Sequence, residues 1–539
     1  MVFVQLKLKT KLKTINKLSF HDIESIPPLI KDFLNHGIEG FKESTFSLDN
    51  FEKQIRTKQN SFTQEQRNIL FHVLQSQLSK LTLSLQQQKN LDDLKISTTF
   101  TITTGHQLNL FSGPVFFIYK ILQTIKTCSF LKERFPDYNF VPIYWMASED
   151  HDFLEINHFK TENNYYEINE KSGGAVGRIH ISDMSFISEF EKEFKDTVFG
   201  TELILMLKEA YKTGNTLTEA ISILVNRLFS DFGLLILDGD SKALKSQCIS
   251  IFKEELLSFD LKRFSKSKVD SLTEKYGKVQ VNPRDINLFY LSETRDRIDF
   301  DGQKYFIVDK NIEFTQEEIV LELEKFPENF SPNALLRPVY QEKILPNLAY
   351  IGGNAEIMYW LELKDYFSKL DIPFPILIPR NSMLFLKEKL LKKIQKLDIK
   401  IEDFFQNFTI ITNNKILKNN DILALLEERE HLLMDNFSTL KTVAENTDKS
   451  FGNMVKAEEV RQLKSFKKMK KRLLYAEKIK QKELWERLEN LFLDIHPSGI
   501  WQERIYNFSV FFADYGYEWL ETCLKEMEIE QSKLIIVVI

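Results

Sequence analysis

Near residue 98 the hydrophobic pattern changes period, and that change restricts the fold more than any other feature of the chain. Residues 98–104 are a run dominated by threonine and isoleucine that stops at Gly105. Helical spacing follows over about residues 112–131, and residues 140–146 form a second short apolar run. Strand, helix, strand is a βαβ unit, and the crossover brings the chain back in the same direction, so the sheet must be parallel. A helical pattern at 217–229 leads into a third buried-strand candidate at 233–237, which ends in Asp238-Gly239-Asp240. Residues 374–378, flanked by prolines, are a fourth. The long intervals between them mean that a doubly wound α/β sheet carries two insertions, near residues 160–199 and 262–342. The first predicts a hairpin of 165–168 against 178–181, turning at Gly173-Gly174.

The rest of the chain reads as helical. Residues 1–95 form an N-terminal helical segment packed on the core, preceded by an alternating stretch at 2–8 that suits an edge strand. Within it, Leu70, Val73, Leu74, Leu78 and Leu81 predict one amphipathic helix or two over 63–94. Residues 96–386 are the core, 387–500 a helical arm, and 501–539 a segment returning to the core. In the arm, residues 455–493 carry Val460, Leu463, Phe466, Met469, Leu473, Leu484, Leu488 and Leu491 at spacings of mostly three and four. With the shorter pattern at 421–440 this predicts an antiparallel helical hairpin, although one helix lying on the core meets the same periodicity. The basic run 464–472 reads as a solvated helix face.

Composition narrows the function. With 72 basic and 77 acidic residues the net charge is −5, which argues against nucleic acid as a partner. Cys128, Cys248 and Cys523 lie far apart without a Cys-x-x-Cys, so neither a disulfide framework nor a cysteine-based metal site is expected. No stretch of about 18 uncharged apolar residues occurs. A soluble, cytoplasmic protein is the expectation, with 45 Phe among its 539 residues available for a core.

Three segments carry candidate chemistry. Gly105-His106-Gln107, with Ser112-Gly113-Pro114, lies between the first strand and its helix, where a parallel sheet opens its ligand crevice. Gly105 permits close backbone approach, and Ser112 is placed to cap the helix. A tight structural turn explains the same residues. Glu149-Asp150-His151-Asp152, followed by Asn157, stands beyond the second strand. Four ionisable groups in succession repel one another unless a cation, hydrogen bonds or shared protons offset them. They suit amine binding or proton transfer, with His151 as the expected base, and a helix N-terminus is their structural alternative. Arg337-Pro338, Gln341 and Glu342 lead to Gly352-Gly353-Asn354, read as a turn, and to Glu356, Tyr359 and Trp360. Arg337, and Arg380 after the fourth strand, have the geometry to clamp a carboxylate or phosphate. For Tyr359 and Trp360 the reading as core aromatics is the stronger one.

Read in order, these segments resemble the bacillithiol-biosynthesis cysteine-adding enzymes, the cysteine ligase family. The matching stretches are Gly105-His106-Gln107 through Pro114, Pro142 through Asp152, Arg337-Pro338 through Glu342, Gly352-Gly353 through Trp360, Pro379-Arg380, Gln502-Glu503-Arg504 and Tyr515-Gly516. The resemblance implies a Rossmann-like core with two connecting inserts and a C-terminal coiled coil used in dimerisation. It also implies the last step of bacillithiol assembly, in which the carboxyl of cysteine is joined to the amine of glucosaminyl malate. An amide does not form spontaneously from a free carboxylate and amine in water, so ATP, with or without Mg²⁺, is the expected activator.

The expected enzyme is therefore a homodimeric ligase. Glu149, Asp150, His151 and Asp152 are its catalytic candidates. Gly105, His106, Gln107, Ser112, Gly113, Asn157, Arg337, Gln341, Glu356, Tyr359, Trp360 and Arg380 are its substrate-binding candidates, and no resident metal is expected. Two alternatives stand beside it: a metal-dependent hydrolase or amidase using the acidic cluster, and a coiled-coil scaffold without catalysis.

Overall fold

The computed structural model describes residues 12–444 and 446–539. The predicted edge strand at 2–8 lies outside them. The chain divides into two compact units, one holding Ile26–Phe385 and Gln502–Ile539 with the N-terminal stretch up to Asp22, the other Ile23–Ser25 and Leu386–Trp501.

In the larger unit the threonine-rich run becomes β1 (Thr99–His106), followed by the helix Phe116–Arg134 and β2 (Asn139–Met146). Beyond β2 lies β3 (Leu235–Asp238), while β4 (Asn347–Gly352) and β5 (Ile376–Pro379) lie on the other side of β1. The order is β5-β4-β1-β2-β3 and every pairing is parallel. This is the Rossmann-like sheet that the βαβ pattern predicts. Winding reverses between β1 and β4, and such a reversal leaves a crevice outside the carboxyl ends of those strands. Phe100, Ile102, Leu348, Ile351, Ile376 and Ile378 form the core around it, with Phe51 and Ile55 from the helix Leu48–Ser61.

Three features differ from the sequence reading. Strand β4 is missing from it, because the turn at Gly353 was expected without a strand before it. The polar Asn347 disguises β4; its buried carboxamide accepts from the hydroxyls of Thr103 (2.8 Å) and Thr101 (3.3 Å) across the strand pair. The hairpin of 165–168 against 178–181 does not form. Tyr165–Glu167 pairs instead with His158–Lys160, and Val176–Arg178 is a 3-10 turn. Gly173 and Gly174 serve a close approach: the Gly173 carbonyl accepts from Arg295 N at 3.0 Å, and a Cβ at Gly174 would lie 2.4 Å from the Glu293 carbonyl. The second insertion holds a five-stranded antiparallel sheet that includes Leu288–Leu291 and Arg295–Phe300. As for the segment 63–94, it forms two helices, Gln64–Gln77 and Leu85–Asp93, each opened by a capping box.

In the smaller unit, Asp421–Ala444 and Lys449–Lys480 form the antiparallel hairpin. Lys441 pairs with Glu459 (2.9 Å) and Lys470 with Glu430 (2.6 Å) across it, and Phe437, Ala444 and Val455 are buried between the helices. The second helix breaks at Gln481 and continues as Lys482–Ile495.

Candidate active site

A cavity of about 520 Å³ opens at the reversal point. Its floor is the end of β1. A Cβ on Gly105 would lie 3.0 Å from the Tyr350 hydroxyl and 3.6 Å from Arg337 Nη1, so glycine is needed there for space. Beneath it lies Lys120, a residue the sequence reading missed, whose side chain is 1% exposed. Its ammonium donates to the Gly105 carbonyl and to both oxygens of Glu356, at 2.8 and 2.9 Å. Glu356 also accepts from Tyr350 Oη (2.6 Å) and Gly353 N (3.1 Å). Burial alone pushes the Glu356 carboxyl up, but Lys120 beside it prevails and holds it below its usual range.

Beside this pair His106 stacks on Phe117, with 4.8 Å between centroids. Burial, reinforced by the cations Lys120 and Arg380, drives its pKa well below the usual value, so the ring is neutral. Its Nε2 is buried without a partner. Arg337 lies against the rings of Tyr350 and Trp145, with the guanidinium carbon 5.6 and 6.0 Å from their centroids. Nη1 donates to Gln341 Oε1 at 2.9 Å, and Nη2 is buried without a partner. Tyr359 adjoins Arg337 and lines the cavity. Arg380 reaches the cavity wall, yet its guanidinium is taken up by the buried carboxylate of Glu503 at 2.6 and 3.0 Å. Its neighbour Arg504 lines the same wall, over the ring of Phe116, and is the freer cation of the two.

The opposite wall carries the acidic cluster. Glu149 is paired with Lys245, a fully buried lysine that also lies 3.5 Å from Asp240. Asp240 in turn holds Arg178 through two bonds of 2.7 and 2.9 Å. Between them Asp238, at the end of β3, is pushed up to about 6 by burial and by the charge of Asp240. Gln107 donates to Asp150 at 2.8 Å, and His151 N donates to the other Asp150 oxygen at 2.7 Å. Burial raises the Asp150 carboxyl, but these bonds and the Arg295 charge outweigh it and set it below its ordinary value.

The structure thus gathers Gly105, His106, Gln107, Glu149, Asp150, Arg337, Glu356, Tyr359 and Arg380 around one cavity. The other candidates stand apart from its lining. His151 is 43% exposed at its side chain, packs on Phe289, and has Nδ1 3.0 Å from Arg295 Nη1. A guanidinium only donates, so Nδ1 is the acceptor and the ring proton sits on Nε2. Asp152 caps the short helix Phe153–Ile156, accepting from Glu155 N at 3.3 Å. Asn157 is buried and donates to the Ile168 carbonyl. Ser112 does not cap the Phe116–Arg134 helix; it ends the preceding 3-10 turn at φ 71°. Gly113, at φ 60°, packs on Asn109, and Asn507 Nδ2 fixes the carbonyls of Phe111 and Gly113 at 2.7 Å each. Gln341 is buried behind Arg337, and Trp360 is a core residue stacked on Tyr350 at 4.7 Å.

Comparison with known proteins gives a consistent picture. Residues 14–381 match the family model "Bacillithiol biosynthesis BshC, N-terminal Rossmann-like domain", and residues 383–539 match "Bacillithiol biosynthesis BshC, C-terminal coiled-coil domain". Relatives with the name "Putative cysteine ligase BshC" include one from Flavobacterium johnsoniae, 40% identical over 89% of this chain and 91% of its own length. Another, from Christiangramia forsetii, is 40% identical over 95% and 97% respectively. A third, from Bacillus cytotoxicus, is 26% identical over 90% and 91%.

Proposed function

The chain belongs to the bacillithiol biosynthesis BshC family, and on that footing we propose that it is the ligase joining the carboxyl of L-cysteine to the amine of glucosaminyl malate. The observation that carries this reading is a cavity whose lining brings acidic and basic groups together: Glu149 and Asp150, with Arg295 beside them, and Arg337 and Arg504, with the Lys120–Glu356 pair. The carboxylates suit an amine that arrives as ammonium, and Arg337 and Arg504 suit the malate carboxylates or a phosphate.

Amide formation needs an activated carboxyl, and ATP supplies that activation in our reading. The residues fit a phosphate-bearing ligand: His106 Nε2 and Arg337 Nη2 are buried without partners, and Arg504 faces the cavity beside them. The hydrolase alternative asks the acidic cluster to hold a metal. Glu149 is instead paired with Lys245 and Asp150 accepts from Gln107, and no group of three His, Cys, Asp or Glu side chains among the described residues is placed to hold one.

Handling a thiol substrate also suits this chain. Cys128, Cys248 and Cys523 are all buried, and burial pushes Cys248 up to about 12, so no reactive thiolate competes with the substrate. No helix of the described residues is long and apolar enough to cross a membrane, and we place the enzyme in the cytoplasm, where cysteine stays reduced.

The purified protein, given L-cysteine, glucosaminyl malate and ATP, is expected to form bacillithiol with stoichiometric consumption of ATP, followed by mass spectrometry and nucleotide analysis. ATP-independent product, or hydrolysis of an added amide, would overturn the ligase reading. The arm supplies a dimer in this proposal: Val443, Met454 and Ile479 are 63%, 58% and 62% exposed on the hairpin, and a second copy covers them. Met454→Glu with Ile479→Glu is expected to give a monomer by light scattering, and a persisting dimer would refute that interface.

A further inference from the structure

We propose that Lys58, Glu342 and Gln341 are positioning residues that set the guanidinium of Arg337, and through it the cavity's hold on one anionic oxygen. The functional reading above enters only in naming the substrate that brings this oxygen.

The chain of contacts runs one way. Lys58, on the helix Leu48–Ser61, is buried, lies 3.4 Å from Glu342 Oε2 and donates to the Glu342 carbonyl at 3.0 Å. Glu342 is 1% exposed, and its Oε1 accepts from Asn347 Nδ2 (2.6 Å) and Gln341 Nε2 (3.0 Å). Burial pushes the Glu342 carboxyl up, against Lys58 and the two amide donors, which favour its ionised form. As a carboxylate it only accepts, so Gln341 turns its amide nitrogen toward Glu342 and its oxygen toward Arg337 Nη1, 2.9 Å away. A flipped amide would set two acceptors against each other on one side and two donors on the other. Lys58 and Glu342 therefore decide the polarity of Gln341, and Gln341 decides which guanidinium nitrogen is spoken for.

Tyr350 and Trp145 hold the plane of the guanidinium from its faces. Nη2 itself is buried on the cavity wall beside Tyr359 with no hydrogen-bond partner in place. Buried donors rarely stay unpaired in folded proteins, and a carboxylate or phosphate oxygen is the partner that a guanidinium N–H takes best. Gln341 is not itself a lining residue and meets the cavity through Arg337, so its influence on binding passes through that guanidinium.

The test uses the full-length protein, calorimetry with L-malate as the probe, and steady-state kinetics. Gln341→Met should weaken L-malate binding about 10–100-fold, the loss of one charge-assisted hydrogen bond. The KM for glucosaminyl malate should rise by a similar factor, while kcat and the KM for cysteine stay within about twofold. Gln341→Glu supplies a second reading even where the methionine variant folds poorly. Its carboxyl can accept from Arg337 at any pH but can donate to Glu342 only when protonated. The charged groups about this pair are Arg337 on one side and Lys58 and Lys343 on the other. L-malate affinity of this variant should thus be weak near pH ~8 and recover toward pH ~6, against a flatter wild-type profile. Wild-type affinity in Gln341→Met, a parallel fall of thermal midpoint and every kinetic parameter, or a pH-insensitive Gln341→Glu would each overturn the proposal. So would a wild-type protein that binds no L-malate. If the wild type binds L-malate but forms no amide, the ligase reading fails while the binding data still support the relay.

Discussion

Lys120→Met is expected to lose about 2–3 kcal/mol of stability and all measurable amide formation, the cost of leaving a half-buried carboxylate at the cavity wall without its fully buried cation. Glu356 is that carboxylate. With the ammonium gone, its oxygens keep only Tyr350 Oη and Gly353 N as donors, too little to offset desolvation of a charge. Against a total stability of about 5–15 kcal/mol, such a loss takes a large share. Lys120→Met combined with Glu356→Gln removes both charges and should recover most of the stability, because a neutral amide can accept from Tyr350 and remain buried. It should not recover activity. The methionine cannot donate to the Gly105 carbonyl, so the end of β1 loses its tether and the cavity loses a cation from its lining. Urea unfolding of the two variants beside a turnover assay separates the effects. A single variant as stable as wild type would refute the buried pair, and an active double variant would make it purely structural.

The sequence reveals the sheet where strands are apolar and hides it where they are not. Strands β1 and β2 are legible because the β-branched run and the apolar run are bounded by Gly105 and by the helix between them. Strand β4 is invisible to periodicity because Asn347 and Gly352 break the short apolar stretch, and only the tertiary partners Thr101, Thr103 and Glu342 make Asn347 acceptable there. The cavity lining follows the same division. Gly105 and Glu149 are legible from their position after a strand, and Glu356 from the Gly352-Gly353-Asn354 turn that precedes it. Lys120 is not, for it lies inside an amphipathic helix where a lysine normally reads as solvated. Lys245 and Arg295 are missed for the same reason, each being a cation whose acidic partner lies about 100 or more residues away in sequence. The converse error concerns Ser112 and Asn157, which sit among motif residues yet serve packing; Trp360 is the core aromatic that its residue type favours.

Glu149→Gln should slow amide formation by about 10²–10⁴-fold, and His151→Gln by no more than about tenfold. The substitution at Glu149 keeps its shape and can still accept from Lys245, whose buried ammonium fixes the side chain on the cavity wall. It removes the negative charge that draws in the amine as ammonium. The ammonium gives one proton to solvent before attack, since only the neutral amine carries a lone pair, and Glu149 takes the second as the attacking nitrogen becomes acidic. Asp150 is less suited to that step, because Gln107 and the His151 N–H already occupy its oxygens and keep its carboxyl acidic; it orients the amine instead. His151, expected from its residue type to be the base, offers Nδ1 to Arg295 and lies outside the cavity lining. Glutamine in its place can accept the same bond. Single-turnover measurements with saturating glucosaminyl malate isolate the chemical step from binding. A His151→Gln variant slowed about 10²-fold or more, beside a Glu149→Gln variant near wild type, would return the base to the imidazole and require Arg295 to release Nδ1 when substrate binds.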